Sequence, residues 1–211
     1  MSTAKATVFV VDDDASVRKM LVRLIQTAGM EVKSFASAQE FLDHGPPESP
    51  ACVVLDVQMP GLSGLDLQAE LNSRNIRTPI IFITGHGNIP TSVKAMKGGA
   101  VDFLTKPFKI TDLLGIIQEA LKKDERLQAA RAETVEVQSR IQTLTPREHE
   151  VLGLVAKGLL NKQIAAELGA AESTVKIHRG RVMQKMQVQS VADLVRAVER
   201  VEAEGDPRAT A

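Results

Sequence analysis

The 211 residues carry 26 Lys+Arg against 26 Asp+Glu, and 44% are hydrophobic, a composition that excludes a disordered chain and fits a globular one. No apolar run approaches the ~18 residues needed to cross a bilayer, and the polar residues 1–5 lack the pattern of a secretion signal. One cysteine, Cys52 in an apolar run, excludes an internal disulfide, suits a reducing cytoplasm and reads as a small buried hydrophobe.

In chain order, residues 6–11, 31–35, 51–55, 79–83 and 100–104 read as five strands, several of them almost wholly apolar, as when both faces of a parallel sheet are covered. Between them lie helical patterns near 15–28, 37–44, 63–73, 89–98 and from 111 onward. Met20, Leu21, Leu24, Ile25 and Ala28 make one helical stripe, stopped by Gly29. Five βα units in series predict a doubly wound five-stranded parallel sheet, whose sites lie beyond the carboxyl ends of its strands.

From 111 to about 143 the chain is charged and helical. Leu127, Ala130, Thr134, Val137, Ile141 and Leu144 follow a 3-4-3-4-3 spacing, which suits either a weak coiled-coil seam or a linker packed on its own domains. Thr145-Pro146-Arg147-Glu148 then opens a new helix with a cap, a proline at the first helical position and a capping box. Residues 146–157, 161–168, 172–186 and 190–203 predict an all-α four-helix domain. The expected organisation is 1–121, a helical linker at 122–143, 144–204, and a frayed tail at 205–211.

Charge is distributed unevenly. Residues 1–121 hold 11 Lys+Arg against 13 Asp+Glu, whereas residues 157–185 hold six basic against two acidic, a net +4 that suggests a polyanion partner. All six phenylalanines precede residue 109 and the chain has no Trp or Tyr. The basic half therefore lacks stacking platforms for single strands, which favours duplex DNA.

Asp12, Asp13 and Asp14 follow the first strand, Asp56 ends the third, Thr84 the fourth and Lys106 the fifth. In an open α/β sheet these ends lie side by side. Converging carboxylates repel unless neutralised, and a hard divalent cation with oxygen ligands neutralises them. One carboxylate could then accept a phosphoryl group, with the cation and Lys106 offsetting charge on its oxygens.

These residues, together with Leu55-Asp56-Val57-Gln58-Met59-Pro60-Gly61, Thr84-Gly85 and Lys106-Pro107, resemble the CheY-like receiver domains of two-component signalling over residues 5–121. The resemblance implies that Asp56 is the phosphoacceptor. It implies that Mg²⁺ (or Mn²⁺) is bound directly by Asp13, Asp56 and the Gln58 main-chain carbonyl, with Asp12 acting through water. Thr84 and Lys106 would contact the phosphoryl group, and Lys106-Pro107 would be cis. Phe103 stands where the family has an aromatic that swings inward on phosphorylation, although core packing accounts for it equally well. Asp14 has no matching role and is expected to cap the first helix. His86 reads as a solvated loop histidine rather than a relay residue. Phosphatases of the haloacid-dehalogenase type also use a strand-end aspartate, but they need a second aspartate two residues on, where this chain has Gln58. Chemistry beyond slow self-phosphorylation and self-dephosphorylation is not expected.

Leu144-Thr145-Pro146-Arg147-Glu148, Asn161-Lys162-Gln163-Ile164-Ala165 and Ser173-Thr174-Val175-Lys176-Ile177-His178 resemble the LuxR-type helix-turn-helix, and the pairing with a receiver resembles the FixJ/NarL class. The Thr84-Gly85-His86-Gly87 loop resembles the FixJ branch. Helices 161–168 and 172–186 are joined by Gly169-Ala170-Ala171, and Val175, Val182 and Met186 form a core-facing stripe. By this resemblance the second helix enters the major groove, where Lys176 reaches a guanine edge or phosphate and Ile177 a thymine methyl. Arg179, Lys162, Lys185 and Thr174 are expected at phosphates. Gly180 either lets the helix approach closely or reads nothing. Expected partners are a histidine kinase, duplex DNA at half-sites ~10 bp apart, a second copy when phosphorylated, RNA polymerase, and no membrane. Competing readings are a phosphotransfer or sequestration protein and a DNA-binding regulator indifferent to phosphorylation.

Overall fold

The computed structural model describes residues 6–47, 50–85 and 89–205. His86 and tail residues 206–211 lie outside them. The chain divides into two compact units, Met1–Gln128 and Ala129–Ala211. Among the described residues no helix is long and apolar enough to cross a membrane.

The first unit runs β1 (Thr7–Val11), α1 (Ala15–Thr27), β2 (Glu31–Phe35), α2 (Ala38–His44), β3 (Ala51–Asp56), α3 (Gly64–Ser73), β4 (Ile80–Thr84), α4 (Ile89–Lys97) and β5 (Asp102–Thr105), followed by α5 (Ile110–Gln142). The strands form one parallel sheet in the order β2-β1-β3-β4-β5. Alternation along each strand divides its apolar residues between two cores. Phe9, Val11, Val53, Leu55 and Phe82 pack with α2, α3 and α4 residues such as Phe41, Leu67 and Ala95. Val8, Val10, Cys52, Val54, Ile81 and Ile83 pack with Leu21 and Ile25 of α1 and Leu113 and Ile117 of α5. This doubly wound arrangement explains why the strand runs are almost continuously apolar. Cys52 lies in the second core, where burial pushes its thiol well above the usual range.

Local signals set the element ends. Asp14 caps α1 by accepting from the amides of Ser16 (2.7 Å) and Val17 (3.2 Å). Of the apolar stripe of that helix, Leu21 and Ile25 are buried and Leu24 half-buried, whereas Met20 and Ala28 are exposed. The fifth strand starts two residues later than its apolar run suggests: the Ala100 amide is used at the exit of α4, donating to Ala95, and the Val101 amide makes the first bond to β4, donating to the Ile80 carbonyl. Asp56 and Thr84 join the ends of their strands because the ladder continues past them, with Val57 N–H to Ile83 and Lys106 N–H to Thr84.

Residues 122–143, set apart from sequence as a linker, lie almost entirely within α5. Asp124 is buried and accepts from the Ala51 amide and from the Gln128 side chain, both at 2.8 Å, which ties this stretch to the start of β3. Thr134, Val137, Ile141 and Leu144 are buried or half-buried, the last three in the core of the second unit, so packing on its own domain uses the spaced residues there. Leu127 is exposed.

The second unit is all-helical: the end of α5, then α6 (Pro146–Ala156), α7 (Asn161–Glu167), α8 (Glu172–Lys185) and α9 (Val191–Gly205). The Thr145/Glu148 capping box forms at α6, with Pro146 in its first turn. Gly169 supplies the left-handed residue (φ +60°) that lets the chain leave α7 and start α8. Val151, Leu152, Val155, Ile164, Val175, Val182, Met186 and Leu194 form its core.

Candidate functional site

The order β2-β1-β3 sends the chain to opposite faces after β1 and β3, so a crevice opens at their carboxyl ends. Asp12 and Asp13 follow β1 directly and Asp56 is the last residue of β3. Each offers a carboxylate oxygen, and the three oxygens lie within 4.8 Å of one another. Lys106 Nζ is 3.0 Å from Asp12 Oδ2 and 3.8 Å from Asp56 Oδ2. Asp12 is fully buried, with Oδ1 accepting from the Asp14 amide (2.9 Å) and its carbonyl accepting from Arg18 (2.7 Å). Asp13 is exposed. Lys106-Pro107 is cis.

Asp56 is 8% exposed, and its Oδ1 is buried without a hydrogen-bond partner among the described residues. Burial pushes its carboxyl above the usual range. Lys106 opposes this, Asp12 adds to it, and the amides of Val57 and Gln58 oppose it again. A buried carboxylate oxygen without a donor, flanked by two further acids, suits a hard cation. Gln58 follows Asp56 by two residues and is exposed, and Thr84 is fully buried at the end of β4. Phe103 is half-buried, its ring centroid 6.3 Å from that of Phe82.

On α8, Val175, Val182 and Met186 face the core, which leaves Thr174, Lys176, Ile177 and Gly180 exposed, Ile177 at 57%. Lys162, near the start of α7, is exposed too. Two other expected contacts have partners inside the domain. Lys185 donates to Glu148 Oε2 (2.6 Å) and to the Thr143 carbonyl (3.0 Å). Glu148 is nearly inaccessible, and that hydrogen bond, followed by the Thr145 amide, lowers its carboxyl to about 2. Lys185, expected at a DNA phosphate, therefore compensates a buried acid. Arg179 Nη1 donates to Asn161 Oδ1 (2.9 Å).

Residues 8–118 match the response regulator receiver domain, and residues 142–198 match the luxR family of bacterial regulatory proteins. Nodulation protein W of Bradyrhizobium diazoefficiens is 54% identical over 94% of this chain and 87% of its own length. The transcriptional regulatory protein FixJ of the same organism is 43% identical over 94% and 97%. The chain is a response regulator of the FixJ/NarL family. It is accordingly a DNA-binding transcriptional regulator of a two-component system. The structure of response regulator StyR superposes with a TM-score of 0.84 at 50% identity, covering 93% of this chain and all of that one. Full-length FixJ from B. japonicum gives 0.57 at 40% identity, covering 95% and 98%.

Three receiver residues, Gly64, Gln68 and Asn72, are not singled out by the sequence. Gly64 opens α3 directly against the end of β3: a Cβ there would sit 2.2 Å from the Asp56 carbonyl oxygen. Gln68, buried on α3, donates to the Ala95 carbonyl (3.0 Å), and Asn72 donates to that of Gly98 (2.9 Å), so α3 holds the end of α4. Neither role has a periodic signal in the sequence, because each depends on which backbone passes nearby.

Proposed function

We propose that phosphorylation of Asp56 switches this response regulator towards a dimer that binds operator DNA through α8. The observation that carries this reading is one ammonium, Lys106 Nζ, beside both Asp12 and Asp56 in a pocket where, among the described residues, an Asp56 oxygen is buried without a partner. In the proposed step an Asp56 oxygen attacks the phosphorus of a phosphohistidine on the kinase. The P–N bond breaks as the acyl P–O bond forms, and the imidazole leaves with a proton from solvent. Lys106 offsets charge on the transferring oxygens, and the Thr84 hydroxyl hydrogen-bonds one of them. Asp13, Asp56 and the Gln58 carbonyl, with Asp12 through water, would hold Mg²⁺ or Mn²⁺, which supplies further charge neutralisation there. Small phosphodonors serve slowly in place of the kinase, and the acyl phosphate hydrolyses slowly by itself.

Thr84 and Phe103 couple the phosphoryl group to the surface at 90–110. Support comes from α4, where Ile89, Val93 and Met96 follow helical spacing and are 80%, 44% and 46% exposed, an apolar face suited to a second copy. In the dimer, Lys176 and Ile177 read base edges, Arg179, Lys162 and Thr174 hold phosphates, and RNA polymerase is the downstream partner. Lys185 is assigned to Glu148 instead. The test treats wild type and Asp56→Asn with acetyl phosphate and Mg²⁺, then measures phosphoryl incorporation, sedimentation and binding to an operator library. Wild type should gain the label, the dimer and the binding together. Equal labelling of Asp56→Asn refutes the site, and labelling without a change in sedimentation refutes the dimer.

A further inference from the structure

The two α8 cations that turn towards neighbouring elements meet partners of opposite electrical consequence. Lys185 is paired with the Glu148 carboxylate, so its positive charge is cancelled inside the domain. Arg179 is held by Asn161, an amide, and among the described residues no carboxylate lies within ion-pair distance of it. A neutral acceptor fixes a side chain without reducing its charge. The guanidinium has five N–H donors in a planar fork, and this hydrogen bond uses one.

The anchor is itself fixed. Asn161 is the first residue of α7, and the turn before it is tied by the Leu160 amide donating to Gln163 Oε1 (2.8 Å). A free arginine must surrender most of its rotamer freedom to reach a phosphate, whereas one already held has surrendered part of it. We propose that Asn161 is a positioning residue for DNA binding: it holds the Arg179 guanidinium on the DNA-facing side of α8 while leaving its full charge for a phosphate. This rests on the reading of Arg179 as a phosphate contact.

The test uses the full-length protein treated with acetyl phosphate and Mg²⁺, and a fluorescent duplex of mixed sequence, since phosphate contacts carry no sequence information. Affinity is measured from about 50 to about 200 mM salt, where each phosphate contact contributes about 0.9 to the slope of log K against log salt. Arg179→Ala and Asn161→Ala should each make the slope shallower by up to that amount per protomer, and the double variant should go no further than Arg179→Ala. Asn161→Asp retains an acceptor and therefore the link between α7 and α8, but its carboxylate cancels the guanidinium. It should unfold at the wild-type temperature or above and still show the shallower slope.

A purely structural Asn161 gives the opposite pattern, with Asn161→Asp binding like wild type, and that result overturns the proposal. So does a wild-type slope in Asn161→Ala when Arg179→Ala is shallower. A wild-type slope in Arg179→Ala removes the phosphate contact itself, and the role of Asn161 with it.

Discussion

Replacing Gly64 by alanine should damage the receiver twice, in stability and in phosphorylation. The added Cβ would lie 2.2 Å from the Asp56 carbonyl oxygen, 3.1 Å from its carbon and 3.2 Å from Leu55 Cγ. Real Cβ contacts are essentially never below 3.0 Å, so the start of α3 and the end of β3 must separate by at least 0.8 Å. The obstacle is backbone, which cannot rotate away as a side chain tip could. Forcing such a contact typically costs about 1–3 kcal/mol, and Gly64, as the first residue of α3, does not carry the mid-helix glycine penalty that its replacement would otherwise relieve. A net loss of about 1–3 kcal/mol should lower the unfolding midpoint of the receiver by roughly 4 °C per kcal/mol. The functional loss should be larger in proportion. Asp56 carries both the displaced carbonyl and the carboxylate proposed as the phosphoacceptor, and a misplacement of about 1 Å can cost up to ~10²-fold in rate. The assay pairs thermal unfolding with the initial rate of phosphorylation by acetyl phosphate, rescaled to the folded fraction. A Gly64→Ala protein with wild-type midpoint and rate would refute the steric argument. A lowered midpoint with an unchanged rate would refute the coupling of this contact to the site.

Gly180→Ala should behave in the opposite way, since a Cβ there meets nothing within 4 Å, so the second unit gains about 0.5–1 kcal/mol. Weakened operator binding in that more stable variant, measured by anisotropy, would show that the missing side chain serves close approach to DNA; unchanged binding would show that the position reads nothing. For Asp56 the folded carboxyl is raised, mainly by burial. Its cost therefore appears as pH climbs through the folded value and is complete above it. Asp56→Asn should raise the metal-free midpoint near neutral pH, and added Mg²⁺ should stabilise wild type more than the variant. Glu148 has the reverse sign. Its carboxyl sits at about 2 against an ordinary 4.5, so its contribution is complete above 4.5 and is lost as pH falls towards 2. Acid unfolding of the second unit should lose that limb in Glu148→Gln and Lys185→Met; an unchanged acid limb would contradict the pairing.

The parts of this molecule legible in its sequence are those written as periodicity or as adjacency. The five apolar runs, the Asp14 cap and the Thr145/Glu148 box each occupy one short window, and a sheet that places strand ends together converts Asp12, Asp13, Asp56 and Lys106 into neighbours by topology alone. The illegible parts are specific partners far apart in the chain. Lys185 and Glu148 are 37 residues apart, Asp124 and the Ala51 amide 73, and Gln68 and the Ala95 carbonyl 27. Nothing local distinguishes Lys185 from Lys176, since both are lysines on a basic helix, and only the position of Glu148 separates the compensated charge from the exposed one. The apolar spacing in α5 admits two readings for a related reason: a heptad-like spacing states that a face is apolar without stating what covers it.

Placing each local anomaly beside its partner separates architecture from function. A buried glutamine, a nearly inaccessible glutamate and a helical glycine pressed on backbone all violate simple rules, yet each is answered within the chain: Gln68 by the Ala95 carbonyl, Glu148 by Lys185, and Gly64 by the space that the Asp56 carbonyl requires. Other violations have no internal answer among the described residues. There, three acids share one pocket with the Lys106 ammonium and one buried oxygen without a donor, and α8 shows solvent a large isoleucine beside a glycine that no described contact demands. Natural sequences tolerate unresolved conflict chiefly where something outside the chain resolves it. Exposure alone is a weaker criterion, because a Cβ at Gly115 or Gly153 would also meet nothing within 4 Å. Gly180 differs from them in its surroundings, with Lys176 one turn before it and Ile177 beside it, so that charge, apolar surface and a missing side chain share one exposed face. Such a face is complementary to the edge of a groove lined by phosphates, and the acid pocket is complementary to a cation with a phosphoryl group; the two regions thus fit the cation, phosphoryl group and duplex DNA proposed as the ligands of this regulator.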